Sequence, residues 1–183
     1  MVRFTSVKTP VGQLFVAVSE AGVCATSLGA ADEKEFVEQL SLRDGETGRP
    51  VVRDDSLAAQ LQVQVDRWFE GREVDLPLDM SGCTAFQRRV MEEVRRIPRG
   101  SVRSYADVAR AVGRPGAARA VGQVMAANPL ALLVPCHRVV RSDGRLGEYS
   151  GGGPEIKRRL LELEGVPQAA PLRALAGSED APA

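Results

Sequence analysis

Apolar and polar residues alternate along the first 29 residues of the chain. The segments FTSVKT and QLFVAVS flank turn-forming residues at 10–12, and residues 20–22 lead into a third such segment, VCATSL. A period of two, interrupted by Pro and Gly, is typical of strands joined by tight turns. The pattern predicts a β meander over residues 1–29.

Two stretches with helical spacing follow, over residues 31–42 and 56–70. Ser56 is a candidate N-cap for the second helix. Gly71 is suited to end that helix, because glycine readily adopts the left-handed conformation of a helix C-terminus. The segment 72–82 shows neither the alternation of a strand nor the spacing of a helix, and it is predicted to be a linker.

The second half of the chain begins with a helix start signal. Thr84 and Gln87 have the T-x-x-Q spacing of a capping box, which predicts a helix from there to about Ile97. Pro98 and Gly100 follow directly and are expected to stop it.

A pair of short helices is predicted next. Ser104 can cap a helix over residues 105–112, and a Gly- and Pro-containing turn at 113–116 precedes a further helix over about 117–127. Two short helices joined by such a turn form the helix-turn-helix pattern of many DNA-binding proteins. The same pattern also occurs as a simple packing unit, so alone it indicates DNA only weakly.

The predicted helix over 117–127 carries small side chains on nearly every face, and Arg119 is its only charged residue. A narrow helix allows its backbone to approach a partner closely. That partner is either another helix in the core or the floor of a DNA minor groove, which admits little bulk. Arg119 favours the groove.

An apolar run, LALLVPCHRVV, follows over residues 130–140 and is interrupted by the polar residues of PCHR. It predicts a buried strand broken by a turn. A glycine-rich loop over 148–153 comes after it. Pro154 then suits the first turn of a final helix, which is predicted to end at Gly165. Residues 167–183, rich in Ala and Pro, are predicted to be a disordered tail.

The charged residues are distributed unevenly although the chain as a whole carries no net charge. Residues 1–82 hold 8 Lys and Arg against 14 Asp and Glu, whereas residues 83–165 hold 15 against 8. This asymmetry predicts an N-terminal domain over 1–82 and a second domain over 83–166, of which only the second meets a polyanion. No apolar run is long enough for a membrane span and no secretory signal is visible, so a cytoplasmic protein is expected.

The cysteines limit the possible chemistry. There are three, at positions 24, 83 and 136, without a C-x-x-C motif, and His137 is the only histidine. A disulfide framework and a Cys- or His-based metal site are therefore not expected, and the thiols should be reduced.

Cys136 stands beside His137 inside an apolar segment. A nearby imidazole can accept the thiol proton and so produce a thiolate nucleophile. Neighbours on a strand point in opposite directions, so we expect a bridging water between the two side chains. An acid should orient the imidazole, and Glu164, Glu148 and Asp143 are the candidates.

The segment Val134–Val139 resembles the active-site motif of the methylated-DNA–protein-cysteine methyltransferases, also called O6-alkylguanine-DNA alkyltransferases. The resemblance covers about residues 1–166 and is looser in the first half. Further segments match the family in order and spacing: TAFQRRV, Gly100-Ser101-Val102 with Ser104-Tyr105, AARAVGQVMAANP, GEYSGG and LLELEG.

The resemblance implies an α+β fold, with a ribonuclease-H-like N-terminal α/β domain and a helical C-terminal domain carrying a winged helix-turn-helix. It implies a monomer that binds double-stranded DNA through the minor groove and flips O6-alkylguanine, and less so O4-alkylthymine, out of the duplex. The alkyl group is then transferred irreversibly to Cys136, without a cofactor or metal.

Catalytic roles are implied residue by residue. Cys136 is similar to the alkyl acceptor, His137 to the residue that takes its proton through a water, and Glu164 to the acid that orients His137. Tyr105 resembles the tyrosine that crowds the target phosphate and donates to the guanine ring. Asn128 resembles the asparagine that ties the recognition helix to the active-site loop.

DNA and base contacts are implied in the same way. Arg119 resembles the arginine that fills the space left by the flipped base. The other positions matching DNA-contacting residues are Ser104, Tyr105, Ala118 and Gly122. The positions matching the pocket for the base are Met125, the Val139 main chain, Tyr149, Ser150 and Gly151.

Three other functions remain compatible with parts of this sequence. A noncatalytic lesion binder would lack the acceptor cysteine, which Cys136 argues against. A cysteine hydrolase would turn over an ester repeatedly without DNA. A helix-turn-helix regulator with a redox-sensitive thiol would prefer one duplex sequence, whereas a repair protein should bind almost independently of sequence.

Overall fold

The computed structural model describes residues 1–44 and 49–166. The chain divides into two compact units. The first comprises Met1–Gly82 together with Pro129–Ala131, and the second comprises Cys83–Asn128 and the chain from Leu132 onward. The division after Gly82 coincides with the change in charge balance along the sequence. The assignment of three residues near 130 to the first unit was not expected. The predicted tail over 167–183 lies outside the described residues.

The first unit is built on a sheet. Within the described residues it has four strands, in the order β3-β2-β1-β4. The strands are β1 (Val2–Thr9), β2 (Gly12–Ser19), β3 (Gly22–Ser27) and β4 (Val51–Arg53). The first three pair antiparallel, which confirms the predicted meander. Strand β4, which was not predicted, pairs in parallel with β1.

The segment predicted to be a linker is attached to the edge of this sheet. Val23 donates its N–H to the Pro77 carbonyl, and Asp79 donates its own to the Val23 carbonyl, each at 2.8 Å. Gly22 begins β3 with a φ of 137°, and a Cβ there would lie 2.3 Å from the Pro77 oxygen. Glycine is therefore required at this position by both its conformation and its space.

Two helices accompany the sheet, α1 (Glu33–Asp44) and α2 (Ala58–Phe69). From α1, the buried Phe36 stacks on Phe15 of the sheet with ring centroids 5.2 Å apart. The predicted cap at Ser56 is wrong. A short 3-10 helix (Asp55–Leu57) precedes α2, and Asp54 caps it by accepting from the Ser56 N–H. Aspartate is an equally good cap and stands two residues earlier, so the local sequence offered two solutions.

The second unit is mainly helical. Up to residue 166, its helices are α3 (Ala85–Arg95), α4 (Tyr105–Ala111), α5 (Ala118–Ala126) and α6 (Gly153–Leu163). The short strands β5 (Arg103–Ser104) and β6 (Val139–Val140) pair in parallel. The predicted capping box of Thr84 with Gln87 is confirmed, and the predicted Ser104 cap is confirmed as part of a second box with Asp107.

The strand predicted in the first part of the run 130–140 is wrong, whereas the turn predicted to interrupt the run at PCHR is confirmed. Only Val139–Val140 are strand, and residues 136–138 form one turn of 3-10 helix. Pro135 removes one backbone donor from the run, so a continuous ladder cannot form there. The run is nevertheless buried, as its apolar composition predicted.

The architecture is mixed α+β. The helix pair α4 and α5 is joined by the turn around Gly113 and Gly116, both of which have positive φ. Among the residues described, no helix combines the length and the apolar composition needed to cross a bilayer.

Candidate active site around Cys136

Cys136 opens the 3-10 turn that interrupts the apolar run, and its side chain is buried, with 3% of the residue exposed. Its N–H donates to the Val134 carbonyl at 2.7 Å, which closes a tight loop around Pro135. The turn orients Cys136 and the two residues after it toward the interior of the second unit, where all three are buried.

Asn128 connects this loop to helix α5. It lies just beyond the end of α5 and is itself buried. Its side-chain nitrogen donates to the Val134 carbonyl and to the Cys136 sulfur, each at 3.1 Å. The geometry therefore brings the predicted asparagine and the predicted nucleophile together, and the amide donor favours the ionised form of the sulfur.

His137 is fully buried, and its Nε2 lies 2.9 Å from Oε1 of Glu164. Glu164 directly follows helix α6. Of the three acids that the sequence left open, Glu164 is therefore the one that contacts the imidazole. Glu148 is exposed, and Asp143 is exposed and lies beside Arg141, with 3.5 Å between Oδ2 and Nε.

Arg138 holds the same carboxylate, a contact that the sequence did not predict. Its Nε donates to Oε2 of Glu164 at 2.9 Å and its Nη2 to Oε1 at 2.8 Å. Its Nη1 donates to the Ile97 carbonyl at 2.8 Å. Such a two-point pair fixes the plane of the carboxylate and therefore the direction of its bond to His137.

The pKa of each group follows from these contacts. Burial opposes ionisation of Glu164, but hydrogen bonds from His137 and Arg138 dominate and lower its pKa to about 2. The carboxylate is therefore ionised at neutral pH and can only accept, so Nε2 of His137 carries a proton. In the neutral imidazole the basic nitrogen is then Nδ1, which is buried.

The pKa values of Cys136 and His137 shift in opposite directions. Burial raises the pKa of the Cys136 thiol, partly offset by the Asn128 hydrogen bond and by the positive charge of Lys157. Burial also lowers the pKa of His137, partly offset by Glu164. Both shifts favour the neutral pair at rest, so His137 is kept as a base able to receive a proton.

Lys157 is a second residue that sequence reasoning missed. It lies on α6, is fully buried, and donates its Nζ to the Val139 carbonyl at 2.7 Å. This carbonyl belongs to the main chain predicted to contact the base. Lys157 precedes Glu164 by seven residues, or about two helical turns, and therefore lies on the same helix face. A lysine at this spacing from Glu164, on a helix face that is otherwise apolar, was the sequence signal that could have identified Lys157.

The loop carrying Tyr149 covers one side of this cluster. Tyr149 is buried, and its ring approaches the His137 ring edge-on, with centroids 6.4 Å apart. A Cβ on Gly151 would lie 2.6 Å from this ring, so only glycine fits there. Ser150 donates its hydroxyl to the Met125 carbonyl at 3.3 Å, which ties the loop to the end of α5. These four predicted residues are therefore brought together.

Tyr105, the first residue of α4, is partly buried next to the same site. Its hydroxyl lies beside Gly147, and its ring lies beside Gly122 of α5. Burial raises the pKa of Tyr105, and the charge of ionised Cys136 raises it further. The phenol is thus kept protonated and remains a hydrogen donor.

Of the residues predicted to meet DNA, Tyr105 adjoins the buried cluster and Gly122 lies beside the Tyr105 ring. Arg119 is exposed in the first turn of α5, next to the half-buried Ala118, whereas Asn128 lies beyond the other end of that helix. The Ser104 hydroxyl is engaged in the cap of α4 through Asp107. Within the described ranges, no group of three or more His, Cys, Asp or Glu side chains is arranged to hold a metal ion.

Comparison with known proteins identifies the relatives of this chain. The family described as 6-O-methylguanine DNA methyltransferase, DNA binding domain, matches residues 85–166. The constitutive methylated-DNA–protein-cysteine methyltransferase of Bacillus subtilis is 36% identical over 165 residues, which cover 89% of this chain and 95% of that protein. The corresponding protein of Mycobacterium leprae is 36% identical over 90% of this chain and 93% of its own length.

Solved structures give the same result. The Mycobacterium tuberculosis protein OGT in complex with DNA superposes with a TM-score of 0.71 at 34% identity, covering 93% of this chain and 98% of that one. The resemblance predicted from the sequence is therefore confirmed. The chain belongs to the family of methylated-DNA–protein-cysteine methyltransferases, which are DNA-repair enzymes.

Proposed function

We propose that this protein repairs alkylated guanine in double-stranded DNA by moving the alkyl group from O6 to the sulfur of Cys136, once per molecule. The observation that carries the proposal is the buried Cys136, held by Asn128 and followed directly by the His137–Glu164 pair. O4-alkylthymine is proposed as a poorer substrate.

Thiolate formation is the first step. The S–H bond of Cys136 breaks, and its proton passes through a water to Nδ1 of His137. Glu164 and Arg138 support this step, because the ionised carboxylate stabilises the imidazolium that forms. The hydrogen bond from Asn128 stabilises the thiolate.

Alkyl transfer is a displacement at carbon. The sulfur lone pair forms the S–C bond while the C–O6 bond breaks, and its electron pair passes to the guanine. Tyr105 donates a proton to the ring, so that neutral guanine leaves, and the proton held by His137 restores the tyrosine. Cys136 is left as a thioether, which has no acyl carbon for water to attack. The acceptor is therefore used once.

Access to O6 requires the base to leave the duplex, because this atom lies inside the base stack. We propose that Arg119 fills the vacated space and offsets part of the unstacking cost. The flipped base would lie between Tyr149, Ser150 and Gly151 on one side and Met125 on the other. The Val139 main chain would contact its amino group.

The two units are proposed to differ in role. The unit from Cys83 onward would carry both DNA binding and the active site as a winged helix-turn-helix domain, and the first unit would be ribonuclease-H-like. Small residues of α5, among them the partly buried Ala118 and Gly122, support docking in the minor groove. We propose a cytoplasmic monomer that needs no cofactor.

The intact mass of the protein tests this function. After incubation with a duplex containing one O6-methylguanine, the protein should gain a single methyl group that maps to Cys136, with one lesion repaired per molecule. Repeated turnover, or a protein that binds the duplex and remains unmodified, would overturn the proposal. Repeated hydrolysis of a chromogenic ester without DNA would favour a hydrolase instead.

Replacing Arg119 with alanine should slow repair of duplex DNA by about tenfold, which corresponds to losing about 1.4 kcal/mol of the compensation for base flipping. Reaction with free O6-benzylguanine should keep its rate, because a free base needs no flipping. Single-turnover rates on the two substrates provide the measurement. Arg72→Ala removes an exposed arginine from the first unit and should change neither rate. Equal losses on both substrates in Arg119→Ala would refute the role.

A further inference from the structure

Lys157 is the one buried charged residue of the described site that the steps above do not use. It is fully buried on helix α6. Its Nζ donates to the Val139 carbonyl, a neutral acceptor that lies three residues after Cys136. The lysine is therefore held beside the loop that carries the nucleophile.

A buried ammonium group is costly and is normally compensated by a carboxylate. Within residues 1–44 and 49–166, no Asp or Glu forms a salt bridge with Lys157. The carboxylate on its own helix face belongs to Glu164, and both oxygens of that group are bound by Arg138. Glu164 therefore does not neutralise the lysine.

The other titratable groups around Cys136 do not supply the missing negative charge. The charges of Glu164 and Arg138 balance, and burial keeps His137 neutral by lowering its pKa. Tyr105 and Tyr149 both have raised pKa values, through burial first and then through the charge of Cys136.

We propose that Lys157 is the counter-ion of the Cys136 thiolate, a positioning residue that holds a positive charge beside the sulfur through its bond to the Val139 carbonyl. This inference rests on the proposed function, in which the thiolate is the nucleophile. It supplies a positive charge that is already present at rest, whereas His137 becomes positive only after it has accepted the thiol proton.

The electrostatic effect is reciprocal. Burial lowers the pKa of Lys157 to about 8, against an opposing contribution from the charge of Cys136. The positive charge of Lys157 in turn lowers the pKa of Cys136 against the effect of burial. The lysine remains mostly protonated at pH 7, which is the condition for a counter-ion.

The test uses a thiol titration that does not involve DNA. In a Cys24→Ser/Cys83→Ser background, the ultraviolet absorbance of the Cys136 thiolate is followed against pH, and the same variant with Cys136→Ser is subtracted. Lys157→Met removes the charge while keeping a similar length. It should raise the titration midpoint of Cys136 by about one pH unit or more. The rate with free O6-benzylguanine at pH 7 should fall about tenfold.

Lys157→Arg is the matched control, because it keeps the positive charge. Its thiol midpoint should stay near that of the parent, and its urea unfolding should show that the site is folded. A folded Lys157→Met with an unchanged midpoint would overturn the inference, as would a folded Lys157→Arg whose midpoint rises like that of a neutral variant. Because the titration needs no alkylated base, a parent protein that fails to accept alkyl groups would count against the proposed function alone.

Discussion

Replacing Cys136 with serine should lower alkyl transfer by at least about 1,000-fold, to below detection in the intact mass after incubation with O6-methylguanine DNA. The reason is that a serine hydroxyl ionises far less readily than a thiol and is a weaker nucleophile toward carbon. The hydroxyl can still accept the hydrogen bond from Asn128, so the loop should keep its structure. Binding of the lesion should therefore survive while transfer is lost.

Cys24→Ser is the matched control for this result. Cys24 lies at the edge of the sheet core in the first unit, where its sulfur contacts the Ala17 carbonyl at 3.5 Å. That variant should still gain one methyl group at Cys136. A methyl group on the Cys136→Ser protein, or loss of transfer in Cys24→Ser, would show that the acceptor has been misassigned.

Replacing Arg138 with methionine should lower the free energy of unfolding by about 3–5 kcal/mol at pH 7. The Glu164 side chain is fully buried, and Arg138 supplies two of its hydrogen bonds. Without the guanidinium, an ionised carboxylate remains buried with His137 as its main partner. Urea unfolding of the two proteins gives the difference.

The pH dependence of this loss identifies its cause. The pKa of Glu164 falls from an ordinary 4.5 to about 2 in the folded protein. A lowered carboxyl pKa stabilises the folded state above pH 4.5, and that stabilisation disappears as the pH falls toward 2. Arg138→Met should raise this pKa, so its deficit should be full at pH 7 and should shrink between about pH 4.5 and 2.

Arg145→Met is the control for this second experiment, because the Arg145 side chain is 80% exposed and lies 3.8 Å from Asp143 at its closest. Surface ion pairs of this kind contribute little, so its unfolding free energy should change by less than about 0.5 kcal/mol. A deficit in Arg138→Met that stays constant from pH 7 to pH 3 would contradict the assignment to Glu164.

Much of the fold could be predicted from local sequence. The turns of the meander and the start of α3 depend on bonds between residues no more than four positions apart. Such bonds can be predicted from local sequence, and the predicted caps at Thr84 and Ser104 were both confirmed. The parallel pairing of β4 with β1 was not predicted, because it joins segments nearly 50 residues apart. Residues 130–134, before the 3-10 turn at Cys136, were mistaken for strand, because burial alone does not distinguish a strand from other buried chain.

The candidate site divides in the same way. By itself the sequence determined that Cys136 and His137 are neighbours and that capped helices surround them. Through the family resemblance it also predicted the other residues of the site. Only the tertiary structure decided which groups meet the buried charges: Arg138 binds the Glu164 carboxylate across 26 positions, and Lys157 donates to the Val139 carbonyl across 18. Local hydrogen bonds are encoded within one turn of chain. The compensation of a buried charge instead depends on which distant groups the folded core brings within bonding distance.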